Sequence, residues 1–227
     1  MKRFIRERGI GLALVVTVML LVAVSQGGLT YTFLLGQLKS RVPHWPMRLV
    51  DLQWGLRAAL LIGMTVLWLL ALRRALFRLI VAANAYFTLV LLVDAGVLVT
   101  ILGGLTVRAV GDLIADVLAI ALSNILIFSI WYWVIDPPGV VDGEPDDKPW
   151  AFLFPQRASV LPRYESWVPR YADYLFLAFT TSFAFSPTDT LPLTRTAKML
   201  MLLQVLISVV TLTGIAASAI NILSSHG

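Results

Sequence analysis

The sequence predicts an all-α integral membrane protein with about five transmembrane helices and one short re-entrant helix of the pore type. Hydrophobic residues make up 59% of the 227 residues, which is more than soluble domains contain. Several apolar runs are long enough to cross a hydrocarbon layer about 30 Å thick. The run at residues 171–182 is too short, because about 12 residues that each rise about 1.5 Å reach only about 18 Å.

Four apolar segments precede the long polar loop, and each of them predicts a transmembrane helix. The first is interrupted by Ser25-Gln-Gly-Gly28, where glycine either ends a helix or allows another backbone to come close. The fourth ends in Trp131-Tyr-Trp133, which is typical of an aromatic belt at the membrane interface. The segments cover residues 10–38, 53–72, 79–102 and 113–135.

Residues 136–170 form the one sizeable polar loop of the chain. Five prolines between residues 145 and 169 argue against a folded subdomain. Asp136 is followed directly by proline, and we expect it to end the preceding helix. The aromatic side chains of the loop are predicted to lie on the membrane surface, and they are Trp150, Phe152, Phe154 and Trp167.

A short apolar run and a polar, proline-broken turn precede the last apolar segment. Irregular backbone at membrane depth is tolerated only where protein buries it or where it lines a water-filled space. Residues 171–192 are therefore predicted to form a re-entrant helix and turn beside an inner helix at residues 193–223. In the alternative interpretation, Thr188, Asp189 or Thr190 caps the inner helix. The side chains expected to line the turn are Thr180, Thr181, Ser182, Phe183, Phe185, Ser186, Thr188 and Asp189.

Polar side chains recur on one face of the predicted inner helix. Their spacing of i, i+4, i+7 and i+14 places them together on a helix. They form either a stripe that faces water or a set of interhelical hydrogen bonds at a closely packed interface. The residues of this polar face are Gln204, Ser208, Thr211 and Ser218.

Asp94 lies within the third apolar segment. An ionisable residue inside a membrane span is a functional candidate, and it is expected to have a partner. Arg57 in the second segment either pairs with Asp94 or extends its guanidinium group to the interface. Asp94 accordingly either handles an ion or a proton, or is simply hydrogen-bonded inside the helix bundle.

The basic residues predict an orientation in the membrane. If the spans alternate in direction, 13 of the 18 lysines and arginines lie on the side of the N-terminus. Basic residues are in excess on the cytoplasmic side, so the N-terminus and residues 136–170 are predicted to be cytoplasmic. The chain has no cysteine and no N-glycosylation sequon, which agrees with a multi-pass protein of the bacterial cytoplasmic (inner) membrane.

The sequence gives no support for an enzyme. His44 and His226 are the two histidines, and neither has a carboxylate or cysteine at ligand spacing. The acidic loop residues between 142 and 147 are interpreted as solvated rather than as a cation site. We expect no cofactor, no metal ion and no nucleic-acid partner. The expected partners are the lipid bilayer and further copies of the chain.

The residues Ala184-Phe-Ser-Pro-Thr-Asp-Thr-Leu-Pro-Leu-Thr-Arg195 form a long and compositionally unusual string. Together with Trp131-Tyr-Trp133, Phe152-Leu-Phe-Pro-Gln156 and Asn221-Ile-Leu223, they resemble a family of uncharacterised bacterial multi-pass membrane proteins. The likeness covers residues 129–223. It implies a multi-pass helical fold and does not imply an activity.

Thr180-Thr181 and Asp189-Thr-Leu-Pro192 carry a second, more distant resemblance. They occur here in the same order as the matching motifs in the pore module of potassium-channel-like proteins. The filter is non-standard, because the seven residues 182–188 stand where that family has four and include no glycine. The resemblance implies a tetramer. It also implies that residues 111–227 are a channel-like module with an outer helix (113–135), a polar loop (136–170), a re-entrant helix and turn (171–192) and an inner helix (193–223).

The sequence therefore favours a channel-like oligomeric pore for a small ion, attached to N-terminal transmembrane helices at residues 1–110. One alternative is a non-conducting structural or partner-binding membrane protein whose turn is plugged by Phe183 and Phe185. Another alternative is a proton-coupled transporter that uses Asp94.

Overall fold

The computed structural model describes residues 15–26, 45–70, 72–102, 110–136, 140–141, 144–145, 149–165, 167–186 and 189–225. Most of these residues are helical. The helices are Val15–Gln26 (α1), Trp45–Leu69 (α2), Arg73–Leu102 (α3), Val110–Ile135 (α4), Pro155–Ala158 (α5), Tyr171–Ala184 (α6) and Arg195–Ser225 (α7).

Two small antiparallel sheets lie in the connections that follow α4. Strands β1 (Val140–Val141) and β2 (Glu144–Pro145) form the first sheet. Strands β3 (Phe152–Leu153) and β4 (Leu191–Pro192) form the second, with Phe152 opposite Pro192. A 3₁₀ turn at Pro162–Tyr164 follows α5. The pairing of β3 with β4 brings the polar loop against the turn that follows α6.

Three of the described helices are long and apolar enough to cross a membrane. They are the segments Arg74–Val99 of α3, Ala115–Ile135 of α4 and Arg195–Ala217 of α7. Helix α1 and the Trp54–Leu69 part of α2 are apolar but shorter. The chain is thus a mostly helical protein with the hydrophobic segments of a membrane protein.

Helices α2, α3 and α4 begin earlier than the apolar pattern predicts, whereas α7 begins at Arg195, later than the predicted residue 193. Helix α2 starts at Trp45 instead of residue 53, with Pro46 in the first turn, where the missing N–H of proline leaves no hydrogen bond unmade. Helix α3 starts at Arg73 instead of residue 79, so the basic residues Arg73, Arg74 and Arg78 lie in its first two turns. Arginine and leucine are good helix formers, and hydropathy alone does not mark where such a helix begins.

The described residues divide by their contacts into two compact units. One contains Val15 and residues 124–208, and the other contains residues 16–123 and 209–225. The boundary falls inside α4 and α7. This division by contacts differs from the division by function that the sequence predicts, which separates residues 1–110 from residues 111–227.

The unit containing residues 16–123 and 209–225 is a packed set of helices with polar contacts between them. The Gln26 side-chain amide of α1 donates a 3.1 Å hydrogen bond to the carbonyl of Phe87 in α3. The hydroxyls of Ser25 and Ser123 lie 2.8 Å apart. Gly214 allows close packing, because an added Cβ would lie 3.1 Å from the Val117 side chain. The apolar core includes Met19, Met64, Ile80, Phe87, Leu91, Leu98 and Ile120.

In the other unit, the polar loop is folded, contrary to the expectation from its prolines. Residues 149–165, which we name the strap, contain β3, α5 and the 3₁₀ turn. Pro155 and Pro162 each occupy the first turn of a short helical element, where proline is compatible with the backbone. Phe152 and Phe154 are buried and do not lie on the membrane surface. The prolines therefore shape the strap instead of preventing its folding.

Candidate functional site

Helix α6 is the element around which the candidate site is built. Its 14 residues reach about 21 Å, close to the predicted length and too short to cross hydrocarbon. The Asp173 carboxylate accepts a 2.6 Å hydrogen bond from the backbone N–H of Arg170 at the start of the helix. The helix ends at Phe185, whose φ of 53° and ψ of 18° are left-handed. Glycine usually occupies this conformation at a helix end. Here Phe185 adopts it, and the chain leaves the helix at this residue.

The Asp136 carboxylate, just past the end of α4, organises the strap. Its Oδ1 accepts hydrogen bonds from the backbone N–H groups of Ala151 (2.8 Å) and Phe152 (3.3 Å). Its Oδ2 accepts bonds from Arg157 Nη1 at 2.9 Å and from the Tyr174 hydroxyl at 2.6 Å. Both side chains of the Asp136–Arg157 ion pair are almost fully buried, with 0% and 4% of their surface exposed. This network, which we name the Asp136 latch, joins α4, the strap and α6.

Aromatic rings pack around the Asp136 latch. The Tyr132 and Phe152 rings lie 5.1 Å apart, and the Phe154 and Tyr174 rings meet edge to face at 5.5 Å. Trp167 lies 5.6 Å from Phe154. Such pairs add to the stabilisation from burial. They also keep water away from the ion pair, which strengthens its electrostatic attraction.

Gln204 of α7 connects α6 to both long helices of this unit. Its Nε2 donates 2.8 Å hydrogen bonds to the carbonyl of Ala178 and to the hydroxyl of Ser182. Its Oε1 accepts a hydrogen bond from the Tyr132 hydroxyl of α4. The side chain has no exposed surface, and these bonds satisfy both of its N–H donors and its carbonyl oxygen. Gln204 thus fixes α6 laterally, while the Asp136 latch fixes it near its start.

The predicted polar face of the inner helix is used for helix packing. Asn124 of α4 donates 2.9 Å and 3.2 Å hydrogen bonds to the Ser208 hydroxyl and to the Gln204 carbonyl. Thr211 is also buried. The side chain of Ser218 lies outside the described residues. For Gln204 and Ser208 the geometry agrees with interhelical hydrogen bonding, the second of the two interpretations.

The predicted turn residues fall into three groups. Thr180 bonds back to the carbonyl of Phe176 at 3.0 Å, while Thr181 is buried and its Oγ1 has no hydrogen-bond partner among the described residues. Ser182 is half-buried and bonded to Gln204. The remaining described side chains of the turn are exposed, namely Phe183, Phe185, Ser186 and Asp189, and Thr188 lies outside the described residues.

Capping of the inner helix falls to a residue that the sequence interpretation did not include. Helix α7 begins at Arg195, and the hydroxyl of Thr194 accepts a 3.2 Å hydrogen bond from the N–H of Ala197. Strand β4 separates Asp189 from this helix. The capping role expected of Thr188, Asp189 or Thr190 therefore belongs to Thr194, because the chain pairs with β3 before the helix starts.

Asp94 lies in the other unit, near two further charged side chains. Arg57 and Asp116 both act on it electrostatically. Arg57 has 1% of its surface exposed, and its guanidinium carbon lies 5.5 Å from the ring centre of Trp54. The Oδ2 atom of Asp94 is buried and has no hydrogen-bond partner among the described residues. The structure thus places the two residues singled out by the sequence in one charged environment.

Burial changes the acidity of the two tyrosines of α6. Burial raises the pKa of Tyr171 to about 12, although its 2.6 Å hydrogen bond with Ser129 acts in the opposite direction. Burial also raises the pKa of Tyr174 strongly, and the neighbouring Asp136 carboxylate adds to the rise. Both hydroxyls are therefore neutral donors or acceptors over the physiological pH range.

The Asp136 latch is the part of the site that sequence reasoning missed. The sequence interpretation makes Asp136 only the end of a helix and assigns no specific role to Arg157. One signal was available, since an acid directly after an apolar span, followed by an arginine among aromatic residues, can form a buried pair at the membrane interface. The pairing itself depends on contacts between distant residues, which the sequence pattern does not specify.

Within the described residues, no three His, Cys, Asp or Glu side chains lie close enough together to hold a metal ion. Comparison with protein-family models, with curated proteins and with solved structures found no match to this chain.

Proposed function

We propose that the chain is a subunit of a homo-oligomeric, channel-like membrane protein that passes a small ion. The observation that supports this proposal is the arrangement of α6. The helix is too short to cross the membrane, is hydrogen-bonded on one face to two apolar helices, and ends in a turn with exposed side chains. A short helix, an irregular turn and a long inner helix are the parts of a pore loop.

The proposed topology has five transmembrane helices and one re-entrant helix. In this proposal the apolar segments of α3, α4 and α7 cross the membrane. The first and second apolar segments of the sequence, which contain α1 and most of α2, supply the other two spans. Helix α6 enters and returns on the cytoplasmic side, which the excess of basic residues assigns to the N-terminus and to the strap. The membrane is the bacterial inner membrane.

The proposed oligomer covers the exposed face of α6. Phe176, Phe179 and Phe183 follow one another at helical spacing, and each has at least half of its side chain exposed. The irregular turn after α6 has to be shielded from lipid. In a tetramer, the number that the pore-module resemblance implies, neighbouring copies cover these rings and bring the four turns to a common axis.

Conduction in this proposal depends on the turn. Ser182, Ser186 and Asp189 offer oxygen atoms to a passing ion, and backbone carbonyls of the turn add to them. Phe183 and Phe185 are exposed beside these groups and set the width of the path. The absence of glycine from residues 182–188 argues for a filter that differs from the potassium type.

Purified protein reconstituted into planar bilayers tests the proposal. We expect ionic currents, and we expect Asp189→Ala and Ser182→Ala to change their amplitude or ion preference. Glu165→Ala is the matched control, because it removes an exposed acid of the strap and leaves the turn intact. Folded oligomer that gives no current under either polarity would contradict conduction.

A non-conducting structural role is the second candidate, and one observation favours it. Gln204 and Ser208 of the predicted polar face are hydrogen-bonded to residues of α4 and α6, so they do not contribute to a water-facing stripe. In this case Phe183 and Phe185 close the turn. Silent bilayers combined with a monomer or two-fold dimer would favour this role.

Proton-coupled transport through Asp94 is a further candidate. It is favoured by the buried, unbonded Oδ2 atom of Asp94 and by the neighbouring Arg57 and Asp116 side chains. It predicts uptake that follows a pH gradient and is lost in Asp94→Asn. Uptake that persists in this variant would exclude it.

A further inference from the structure

The strap separates its apolar side chains into an inner and an outer set. Phe152 and Phe154 have 0% and 4% of their surface exposed, whereas Val160 and Leu161 have 97% and 49% exposed. Pro162 and Arg163 continue the exposed run. We name Val160, Leu161 and Arg163 the strap tip. A valine and a leucine that are this exposed are unfavourable in water, so we ask what covers them.

The strap is attached at the level where α4 leaves the apolar span. That span ends at Ile135, and Asp136 immediately after it accepts hydrogen bonds from the backbone of Ala151 and Phe152 and from Arg157. The beginning of the strap therefore lies at the end of the hydrocarbon layer.

The chain that leaves the strap returns to the same region of the membrane. The hydroxyl of Tyr171 lies 2.6 Å from the hydroxyl of Ser129, which is inside the apolar span of α4. A segment with one end at the edge of the span and the other end bonded inside it begins and ends beside the interfacial layer. Residues 158–170 consequently have lipid headgroups within reach.

We infer that the strap tip inserts into the headgroup region of the bilayer, with Val160 and Leu161 at the edge of the acyl chains and Arg163 on a lipid phosphate. Apolar side chains gain from leaving water at this depth, and a guanidinium group binds phosphate oxygens through paired hydrogen bonds. Trp150 and Trp167, on either side of the tip in sequence, are residues that favour the same layer.

A lipid surface fits the tip better than a protein partner does. Two apolar side chains followed by an arginine make a patch far smaller than the roughly 800 Å² per partner that a stable protein interface buries. The tip is also continuous with the end of a membrane span. This insertion does not depend on whether the protein conducts ions.

Single-cysteine labelling tests the insertion cleanly, because the chain has no cysteine of its own. Val160→Cys in the full chain is labelled with an environment-sensitive fluorophore and reconstituted into phosphatidylcholine vesicles, with or without phosphatidylglycerol. We expect blue-shifted emission, quenching by lipids that carry a nitroxide on the upper acyl chain, and loss of quenching by aqueous iodide. Glu165→Cys is the control at an exposed acidic position of the same strap, and its label should remain accessible to iodide.

The outcomes separate the possible surroundings of the tip. Iodide quenching at residue 160 as strong as at residue 165 would place the tip in water and overturn the inference. Blue-shifted emission without quenching by either agent would place it under protein, and would overturn it equally. In the Val160→Cys background, Arg163→Gln should reduce the lipid quenching in the mixed vesicles more than in phosphatidylcholine alone. Lipid quenching that Arg163→Gln leaves unchanged in both kinds of vesicle would overturn the phosphate contact, because phosphatidylcholine also carries a phosphate.

Discussion

Asp136 is one of the described residues at which three elements of one unit meet. It directly follows the last residue of an apolar helix, and it binds two backbone N–H groups, a guanidinium group and a phenol. Taking an acid and a base out of water is unfavourable unless their remaining hydrogen-bonding sites are filled. Here the backbone of β3 and the Tyr174 hydroxyl fill those of the carboxylate, while the Phe152 carbonyl accepts a further bond from Arg157 at 2.8 Å.

Asp136→Asn should lower the free energy of unfolding by about 3–5 kcal/mol, because Arg157 is left as an uncompensated charge in a buried site. Denaturant unfolding of the purified protein in micelles measures the change. Asp173→Asn serves as the control, because its capping hydrogen bond is exposed to solvent and is worth only about 1 kcal/mol. Equal losses in the two variants would contradict the role of the Asp136 latch.

Ionisation of Tyr171 should lower the free energy of unfolding at high pH. Its pKa of about 12 lies above the value of about 10 for an unfolded tyrosine. The contribution of this hydroxyl to stability is therefore complete below about pH 10 and decreases as the pH rises toward 12, by about 1.4 kcal/mol per pH unit.

Tyr171→Phe removes that ionisation, so its unfolding free energy should fall less steeply than that of the parent chain between about pH 10 and pH 12. Unfolding curves at several alkaline pH values measure both slopes. At neutral pH the variant loses the Ser129 hydrogen bond, worth about 1 kcal/mol. Parallel slopes for the two proteins would show that Tyr171 is not buried as described.

At the scale of elements, the long helices were predictable and the strap was not. The segments predicted at residues 113–135 and 193–223 correspond to α4 and α7, because long apolar runs determine membrane helices almost by themselves. Helix α6 was predicted over 171–182 and extends to Ala184. Its C-terminal end depends on the left-handed Phe185, a conformation that the residue type does not favour.

The strap could not be predicted because its fold depends on distant contacts. Phe152 pairs with Pro192 across 40 positions of sequence, and Arg157 reaches back to Asp136. The proline content indicates only local restrictions, namely a fixed φ and a missing backbone N–H, and it does not indicate distant contacts. In the candidate site, the role of the turn residues in lining a path stays a prediction. The use of Gln204 for packing follows from the position of α6, which the sequence does not specify.

Gln204 links α6 to the long helices, and Gln204→Leu should release it. The change removes hydrogen-bond partners from the Tyr132 hydroxyl, the Ala178 carbonyl and the Ser182 hydroxyl, so we expect a loss of about 1–3 kcal/mol or more. A cysteine at the buried position Thr181 should then react with a maleimide faster than in the parent chain.

Thr213→Val provides the control for this experiment. Thr213 is exposed on the same helix, and its hydroxyl bonds only within α7, to the Val209 carbonyl at 2.8 Å. It should leave the reactivity at residue 181 unchanged. Unchanged reactivity in Gln204→Leu as well would mean that α6 is held without this side chain.

At the scale of the whole molecule, we propose that several copies of this mostly helical chain assemble in the membrane. The apolar helices are a property of the single chain. In our proposal, neighbouring copies shield the irregular turn that follows α6, because irregular backbone at membrane depth is not left exposed to lipid. Because the covering surface belongs to another copy in our proposal, neither the sequence nor one chain specifies its geometry.

The central claim is that the turn between α6 and α7 is enclosed by further copies of the chain around a common axis. Electron cryo-microscopy of the protein in lipid nanodiscs tests it most directly. The account predicts particles with four-fold symmetry in which the turn from Phe183 to Asp189 surrounds the axis. A monomer, or a dimer in which this turn faces lipid or bulk water, would contradict it.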